Sequence, residues 1–228
     1  MFTALLLVTL VAGPGARDAG AKVPDPTRAK LEAGCTGGQP QPCYRLGAYL
    51  EYEVKDAAGA LPLYRKACDQ GHAPACTNLG SLYGRGLGVG RDNKKAAALY
   101  RKACDAKDAL ACANLADFLL RGAGVRTDKA AGLALYRQAC EGGDIQSCRD
   151  LGATYAIGRD VSVDPAEAAR WWGKACDAGH AQACGDLGEL YRRGAGVGRD
   201  EARARALFKQ SCDRGYRKAC PMLEPPRR

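Results

Sequence analysis

The chain has 228 residues, of which 46% are hydrophobic, so it can bury a core and lacks the composition of a disordered protein. Aromatic residues make up only 7% and there are 29 glycines, which favours closely packed helices over a sandwich of strands. The formal net charge of +9 permits an acidic partner or an anionic surface but requires neither.

The N-terminus has most features of a secretory signal peptide. An apolar segment from Phe2 to Ala12 is too short to cross a bilayer, and an A-x-A cleavage site follows at 19–21. No Lys or Arg precedes Arg17, so the usual basic n-region is missing, and a hydrophobic tail or membrane anchor is the alternative. We predict that residues 1–21 are a signal peptide and that the protein is secreted or periplasmic.

Twelve cysteines form six pairs with a spacing of eight residues, and the regularity extends to their neighbours. From Cys68 onward the pairs recur every 36 residues, whereas the first interval, from Cys35, is 33. A large aromatic residue lies four positions before the later leading cysteines: Tyr64, Tyr100, Tyr136, Trp172 and Phe208. A leucine lies three positions after each trailing cysteine: Leu46, Leu79, Leu115, Leu151, Leu187 and Leu223. A fixed period of this length is typical of a repeat architecture.

Each repeating unit has the pattern of two helices. Cys76, Leu79, Gly80 and Tyr83 are spaced i, i+3, i+4 and i+7, which places them on one helix face. Glycine-rich turns follow this first helix at 86–89, 122–125 and 194–197, with a partial match at 158–161. An aspartate then starts the second helix in four units: Asp92, Asp128, Asp164 and Asp200. We call the first helix of a unit the A helix and the second the B helix.

The fold class that follows is all-α: an α/α superhelical solenoid of helix hairpins. We predict five units at 41–72, 73–108, 109–144, 145–180 and 181–216. A linker and an N-terminal capping helix (25–34) occupy 22–40, and a C-terminal cap and a disordered tail occupy 217–228. The first unit is shorter and lacks the glycine turn, so its hairpin should be tighter or irregular.

The cysteine spacing predicts a disulfide at each junction between units. Cys68 lies in the last turn of one predicted helix and Cys76 in the first turn of the next, so antiparallel packing brings them together. A continuous helix would separate them by roughly 12 Å, out of reach. Each closed loop stabilises the fold by about 2.5 kcal/mol in the chain-entropy model. The predicted pairs are Cys35–Cys43, Cys68–Cys76, Cys104–Cys112, Cys140–Cys148, Cys176–Cys184 and Cys212–Cys220.

Zinc binding is the competing interpretation of the cysteines. A structural zinc site needs four ligands, but neighbouring pairs lie one solenoid step apart and should not converge. The two histidines, His72 and His180, occupy equivalent positions three repeats apart and cannot share a metal. We therefore predict no metal and no cofactor, and we interpret both histidines as loop residues.

The motif L-Y-x-K-A-C-D-x-G with A-C-x-x-L-G, as at 63–80, resembles the Sel-one-like repeat. The cysteine pair in each repeat resembles the Helicobacter cysteine-rich protein family in particular. The resemblance covers about residues 30–223 and implies a superhelix related to tetratricopeptide arrays. It further implies a protein-interaction adaptor, or alternatively a penicillin-binding or β-lactamase-type hydrolase, as some bacterial secreted members are described.

The residues give little support to the hydrolase alternative. A serine β-lactamase needs a nucleophile with a nearby base, as in S-x-x-K. No serine of the chain is followed by lysine three positions later: the serines are Ser81, Ser147, Ser162 and Ser211. Ser147 and Ser211 replace alanines of the repeat and are expected to be small packing residues. We predict no catalytic residue, and unmapped hydrolysis stays the alternative.

A scaffold instead needs only a surface, and stacked A helices would line a concave groove. Polar residues on the A helices, away from the predicted core face, are the binding candidates: Asn78, Ser81, Asn114, Asp117, Asp150, Asp186 and Glu189. Such a groove suits the main chain or basic side chains of a peptide. A component of the cell envelope is one candidate partner. A plain solvated helix face is the alternative. We expect a monomer.

Two further features have plainer interpretations. The C-terminal third is rich in basic residues, which favours solubility or an acidic partner; without interleaved aromatic residues we expect no nucleic-acid binding. These basic residues are Arg192, Arg193, Arg199, Arg203, Arg205, Arg214, Arg217 and Lys218.

Trp172 occupies the aromatic position of the repeat and Trp171 replaces a leucine, so both are predicted to pack in the core, with ligand stacking by Trp171 as the alternative.

Overall fold

The computed structural model describes residues 26–159 and 161–223, and all regular structure within these ranges is helical. The predicted signal peptide lies outside the described residues, as does the tail from 224. The helices are α1 Pro26–Thr36, α2 Pro40–Tyr49, α3 Ala57–Asp69, α4 Ala73–Arg85, α5 Asn93–Asp105, α6 Ala109–Arg121, α7 Lys129–Glu141, α8 Ile145–Ile157, α9 Pro165–Asp177, α10 Ala181–Arg193 and α11 Glu201–Asp213. A 3₁₀ helix, Arg217–Leu223, follows α11. The even-numbered helices from α2 are the A helices, and the odd-numbered helices from α3 are the B helices.

Side-chain caps start the B helices where the sequence predicts them. Asp92 accepts a hydrogen bond from the Lys95 amide at 3.0 Å, and the same bond recurs at the other three predicted aspartates. These bonds satisfy amide groups that a helix N-terminus otherwise leaves without a partner. The B helices from α5 to α11 therefore begin at a position that the repeat determines.

Glycine turns end the A helices and also join neighbouring units. Gly86 takes a left-handed conformation, with φ of 70°, directly after α4. Gly124 lies so close to the start of α5 that a Cβ atom there would be 2.4 Å from the Asn93 carbonyl carbon. The turn of one unit therefore packs on the B helix of the preceding unit, which only a residue without a side chain permits.

The predicted disulfides close every junction. Each bridge joins the last turn of one helix to the first turn of the next, with Cα–Cα distances between 4.5 and 5.0 Å. All twelve cysteines are bonded to the partner eight residues away, and none is free. The solenoid with a disulfide at each junction is therefore confirmed.

Lysine side chains reinforce these junctions. Lys66 donates a hydrogen bond to the Cys35 carbonyl at 2.7 Å, and Lys102 donates to the Cys68 carbonyl at 2.9 Å. Each ammonium group reaches two helices back and binds the carbonyl of a disulfide-bonded cysteine in the last turn of that helix, where positive charge is favourable. The junction thus has a polar contact beside its covalent one.

In four of the five units, an aromatic side chain of the B helix packs on a glycine of the A helix. A Cβ atom at Gly80 would lie 2.8 Å from the Tyr100 ring, and one at Gly152 would lie 2.2 Å from the Trp172 ring. Both tryptophans are buried as predicted, and Trp171 is only 1% exposed. Ligand stacking on Trp171 is therefore not supported.

The first hairpin is irregular. The last turn of α2 passes into a π-helical segment, Leu50–Val54, and Lys55 then takes a left-handed conformation. Asp56 caps α3 by accepting from the Gly59 amide at 2.8 Å. None of the described helices is both long and apolar enough to span a membrane.

We predict that Gly152→Ala lowers the melting temperature of the oxidised protein. The new methyl group would overlap the Trp172 ring, and overpacking of this kind costs about 1–3 kcal/mol. The matched control is Gly173→Ala in the neighbouring helix α9, where the added methyl group meets nothing within 4 Å. The control should gain about 0.5–1 kcal/mol from its lower backbone entropy in the unfolded chain. Thermal unfolding followed by circular dichroism gives both shifts, and equal shifts would contradict the packing described.

Candidate interaction surface

The seven candidate binding residues all lie on A helices and share one degree of burial. They lie on α4 (Asn78 and Ser81), α6 (Asn114 and Asp117), α8 (Asp150) and α10 (Asp186 and Glu189), and each is half-buried. A plain solvated face would expose them more. We call the surface formed by these seven residues the polar face.

Tyrosine hydroxyl groups from the B helices reach the polar face. The Tyr64 hydroxyl accepts a hydrogen bond from the Asn78 amide nitrogen at 3.1 Å and donates to the buried Glu51 carboxylate at 2.8 Å. The Tyr136 hydroxyl donates to Asp117 at 3.3 Å. Burial raises the pKa of Tyr100 to about 12, although a hydrogen bond from Ser81 opposes the shift. These phenols stay protonated at neutral pH and fix the side chains that they contact.

Arginines pair with most of the carboxylates of the polar face. Arg121 forms an ion pair with Asp117 on α6, and Arg149 pairs with Asp150 at 3.0 Å. Hydrogen bonds from Arg192, at 2.7 Å, and from Arg193 lower the pKa of Glu189. Asp186 differs, because burial raises the pKa of its carboxyl group. Neighbouring arginines therefore balance much of the negative charge of the polar face.

The basic residues of the C-terminal third are spread over separate contacts. Arg203 stacks on the Tyr191 ring, 4.4 Å from its centroid, and Arg214 donates to the Cys176 carbonyl at 2.7 Å. Arg205 lies 3.8 Å from Glu201 on an exposed part of α11. Arg192, Arg193 and Lys218 instead line one hollow, together with Asp186 and Glu189.

Three hollows follow the polar face. The first, of about 360 Å³, lies between α6 and α8 and brings Asp117 and Asp150 together. The second, of about 290 Å³, is lined by Asp186 and Glu189 beside the Trp172 ring. The third, of about 390 Å³, shares these two carboxylates and extends to the 3₁₀ helix. The hollows do not include the other three candidates, Asn78, Ser81 and Asn114.

The serines interpreted as packing residues are buried and hydrogen-bonded. Ser147 bonds to Asp144, the N-cap of α8, and Ser211 donates to the Ala181 carbonyl at 2.7 Å. Ser162 is exposed in the turn before α9. Among the described residues, no group of three or more His, Cys, Asp or Glu side chains is placed to hold a metal ion.

The two histidines have a role that the sequence analysis missed. His72 and His180 are the N-caps of α4 and α10, and the Nδ1 atom of each accepts a backbone amide at 3.2 Å. The Nε2 atom of His180 lies 3.3 Å from the Gln146 side-chain oxygen. The repeat pattern indicates this capping role, because Asp108 and Asp144 occupy the equivalent positions and cap α6 and α8.

Five consecutive segments of the chain match the Sel1 repeat: 43–72, 73–108, 109–144, 145–180 and 181–216. The chain belongs to the Sel1 repeat family. The family predicted from the motifs is thereby confirmed, and Sel1 repeat proteins are generally scaffolds for protein–protein interaction. No curated protein matches the chain.

Solved structures agree with the Sel1 assignment. A Sel1 repeat protein from Oxalobacter formigenes is 28% identical, with a TM-score of 0.79, and the match covers 86% of this chain and 57% of that one. A protective antigen of uropathogenic Escherichia coli is 25% identical, with a TM-score of 0.71 and coverage of 86% and 50%. Cysteine-rich protein B of Helicobacter pylori is 31% identical over 58% of this chain and 96% of that one, with a TM-score of 0.46. The chain thus spans about half the length of the first two structures.

We predict that the histidine caps make stability depend on pH. Burial lowers the pKa of both rings, and the charge of Arg149 adds to the effect at His180, whereas Asp108 and Asp150 oppose it. The unfolded chain therefore takes up protons first as the pH falls below about 6.5, and the free energy of unfolding decreases until the folded pKa is passed.

The double variant His72→Asp/His180→Asp tests this prediction, because Asp caps the equivalent positions in α6 and α8. The loss of melting temperature between about pH 7.5 and pH 5 should be smaller in the variant than in the parent protein. Comparing this difference, rather than the melting temperature itself, removes any constant effect of the substitutions. An identical pH dependence in the two proteins would show that the rings are not neutral caps.

Proposed function

We propose that this Sel1 repeat chain is an exported scaffold that binds a protein or peptide segment along its polar face. The observation that carries the proposal is the row of half-buried polar side chains on successive A helices, with hollows between the helices. Side chains already held by intramolecular contacts lose little freedom on binding, which favours affinity. The concave shape expected of stacked hairpins would present these side chains to one extended ligand.

The chemistry of the polar face changes along the solenoid. Its N-terminal part carries the amide and hydroxyl groups of Asn78, Ser81 and Asn114, which can pair with the main chain of a peptide. Its C-terminal part carries carboxylates with arginine partners, which can pair with charged side chains. We infer that an extended segment binds across several units, with its main chain recognised at one end and its side chains at the other.

Export is part of the proposal. The six disulfides suggest an oxidising compartment, because a reducing cytosol keeps thiols free. The signal-peptide features at 1–21 support the periplasm or the cell exterior, where a cell-envelope component is a suitable partner. The hydrolase alternative gains no support from Ser147 and Ser211, which are buried and hydrogen-bonded, or from His72 and His180, which cap helices.

We predict that Asn78→Ala/Asp186→Ala reduces capture of partner proteins from envelope extract by about tenfold or more, since two polar contacts of roughly 1 kcal/mol each are removed. The matched control is Gln70→Ala/Asp177→Ala, which also removes one amide and one carboxylate, at exposed helix ends outside the polar face. Quantitative mass spectrometry of the captured proteins gives the ratio to the parent protein. Equal capture by both variants would remove the polar face as the binding surface.

A further inference from the structure

The hollow between α6 and α8 is larger than its equivalent one unit later, about 360 against 290 Å³, and a departure from the repeat enlarges it. Thr154 lines this hollow, and the equivalent residues of the other units are the larger apolar Leu82, Phe118 and Leu190. Phe118 fills the corresponding space one unit earlier, where its ring meets the Tyr100 ring edge-on at 5.3 Å. With threonine in place of phenylalanine, the space in front of Tyr136 stays open.

A second departure places a charged group beside the same hollow. Arg149 lines it, whereas the equivalent residues of other units are the small Thr77, Ala113 and Gly185. Arg149 pairs with Asp150, but its Nε atom is buried and has no hydrogen-bond partner among the residues that the structure describes. Leaving a buried donor unpaired costs about 1–3 kcal/mol, so an acceptor at this guanidinium group would be favourable.

A third departure adds apolar surface at the rim. Ile157 stands where other units have Arg85, Arg121 and Arg193, and its side chain is 61% exposed. With Leu120, Leu133 and Ala153 it gives the hollow an apolar wall. The buried core also divides in this region: one large cluster extends to Ala139 of α7, and the next includes Leu133 of the same helix. In this one unit Thr154 leaves space, Ile157 adds to an apolar wall, and Arg149 supplies a cationic donor that has no hydrogen-bond partner among the described residues.

These properties define the chemistry of an occupant. A volume of about 360 Å³ suits a large side chain, and the wall favours an apolar one. The lining holds three arginines and two aspartates, Arg121, Arg149, Arg159, Asp117 and Asp150, which leaves an excess of positive charge. Because the aspartates are already paired with Arg121 and Arg149, an incoming carboxylate is favoured over an incoming cation.

We propose that this hollow is the anchor pocket of the polar face, binding a large apolar side chain of a peptide whose adjacent Asp or Glu side chain pairs with Arg149. An internal acidic residue fits better than a chain end, because the hollow lies in the middle of the solenoid and the polar face continues on both sides of it. The Arg149 side chain is 28% exposed, so a rotation of its guanidinium group can bring Nε to the ligand. The proposal rests on the peptide-binding function proposed above.

Two variants test the pocket with residues that the chain itself uses at these repeat positions. Thr154→Phe fills the hollow as Phe118 does one unit earlier, and Arg149→Ala removes the donor and installs the residue found at Ala113. Both should fold, which circular dichroism and the melting temperature will verify. Lys209→Ala, on the exposed side of α11, is the control.

The probe is a pool of random dodecapeptides with acetylated and amidated ends, passed over the oxidised protein, with bound peptides sequenced by mass spectrometry. The enriched peptides should share a large apolar residue next to Asp or Glu. For the tightest peptide, changing that acid to its amide, Arg149→Ala or Thr154→Phe should each weaken binding by about tenfold or more, as expected for a charged hydrogen bond or a filled pocket. Lys209→Ala should change binding less than about twofold.

The outcomes distinguish a wrong anchor pocket from a wrong proposed function. Peptides that bind through Asn78 and Asp186 but are unaffected by Arg149→Ala and Thr154→Phe would overturn the anchor pocket alone. Enrichment only from a second pool with free carboxyl ends would overturn the internal acidic residue as the ligand. If neither pool yields a peptide that binds the parent protein, both proposals are wrong.

Discussion

The structure depends on one constraint: the end of each B helix and the start of the next helix must lie side by side. Cysteines eight residues apart hold these ends together, with Cα atoms 4.5–5.0 Å apart. A lysine such as Lys102, on the B helix of the following unit, donates a hydrogen bond to the carbonyl of the bridged Cys68. With these ends joined, the helices pack antiparallel, the aromatic residue of the B helix meets a glycine of its A helix in four units, and the glycine turn reaches the preceding unit. A 36-residue unit that could not bury its apolar face alone becomes part of one continuous array.

A constant framework of this kind leaves surface positions free to vary from unit to unit. The caps, turns and bridges recur, whereas the residues of the polar face change from amide and hydroxyl groups to charged pairs along the chain. The hollow beside Thr154 and Arg149 shows the same principle at one site, because a small residue in place of a large one enlarges the space without disturbing the junctions. We infer that binding specificity in this protein resides in departures from the repeat.

Most of the fold could be predicted from the sequence, because spacing of the cysteines, aspartate caps and turn glycines reports local backbone geometry directly. The candidate site was less predictable. Helix periodicity places Asn78 and Asp117 on the A helices, but it gives no information about the phenols of Tyr64 and Tyr136, which come from another helix. The cap formed by His72 escaped notice because histidine is an unusual N-cap residue. Pairing of carboxylates with arginines depends on side-chain conformations, which periodicity does not determine.

The most direct test of the account is a map of the cysteines in protein recovered from the exported fraction without reduction. After alkylation of free thiols and proteolysis, mass spectrometry identifies each linked pair. The account predicts six disulfides, each joining a cysteine to the one eight residues later, and no alkylated thiol. Free thiols at the junctions, or bridges between cysteines of distant units, would contradict the architecture and every surface inference drawn from it.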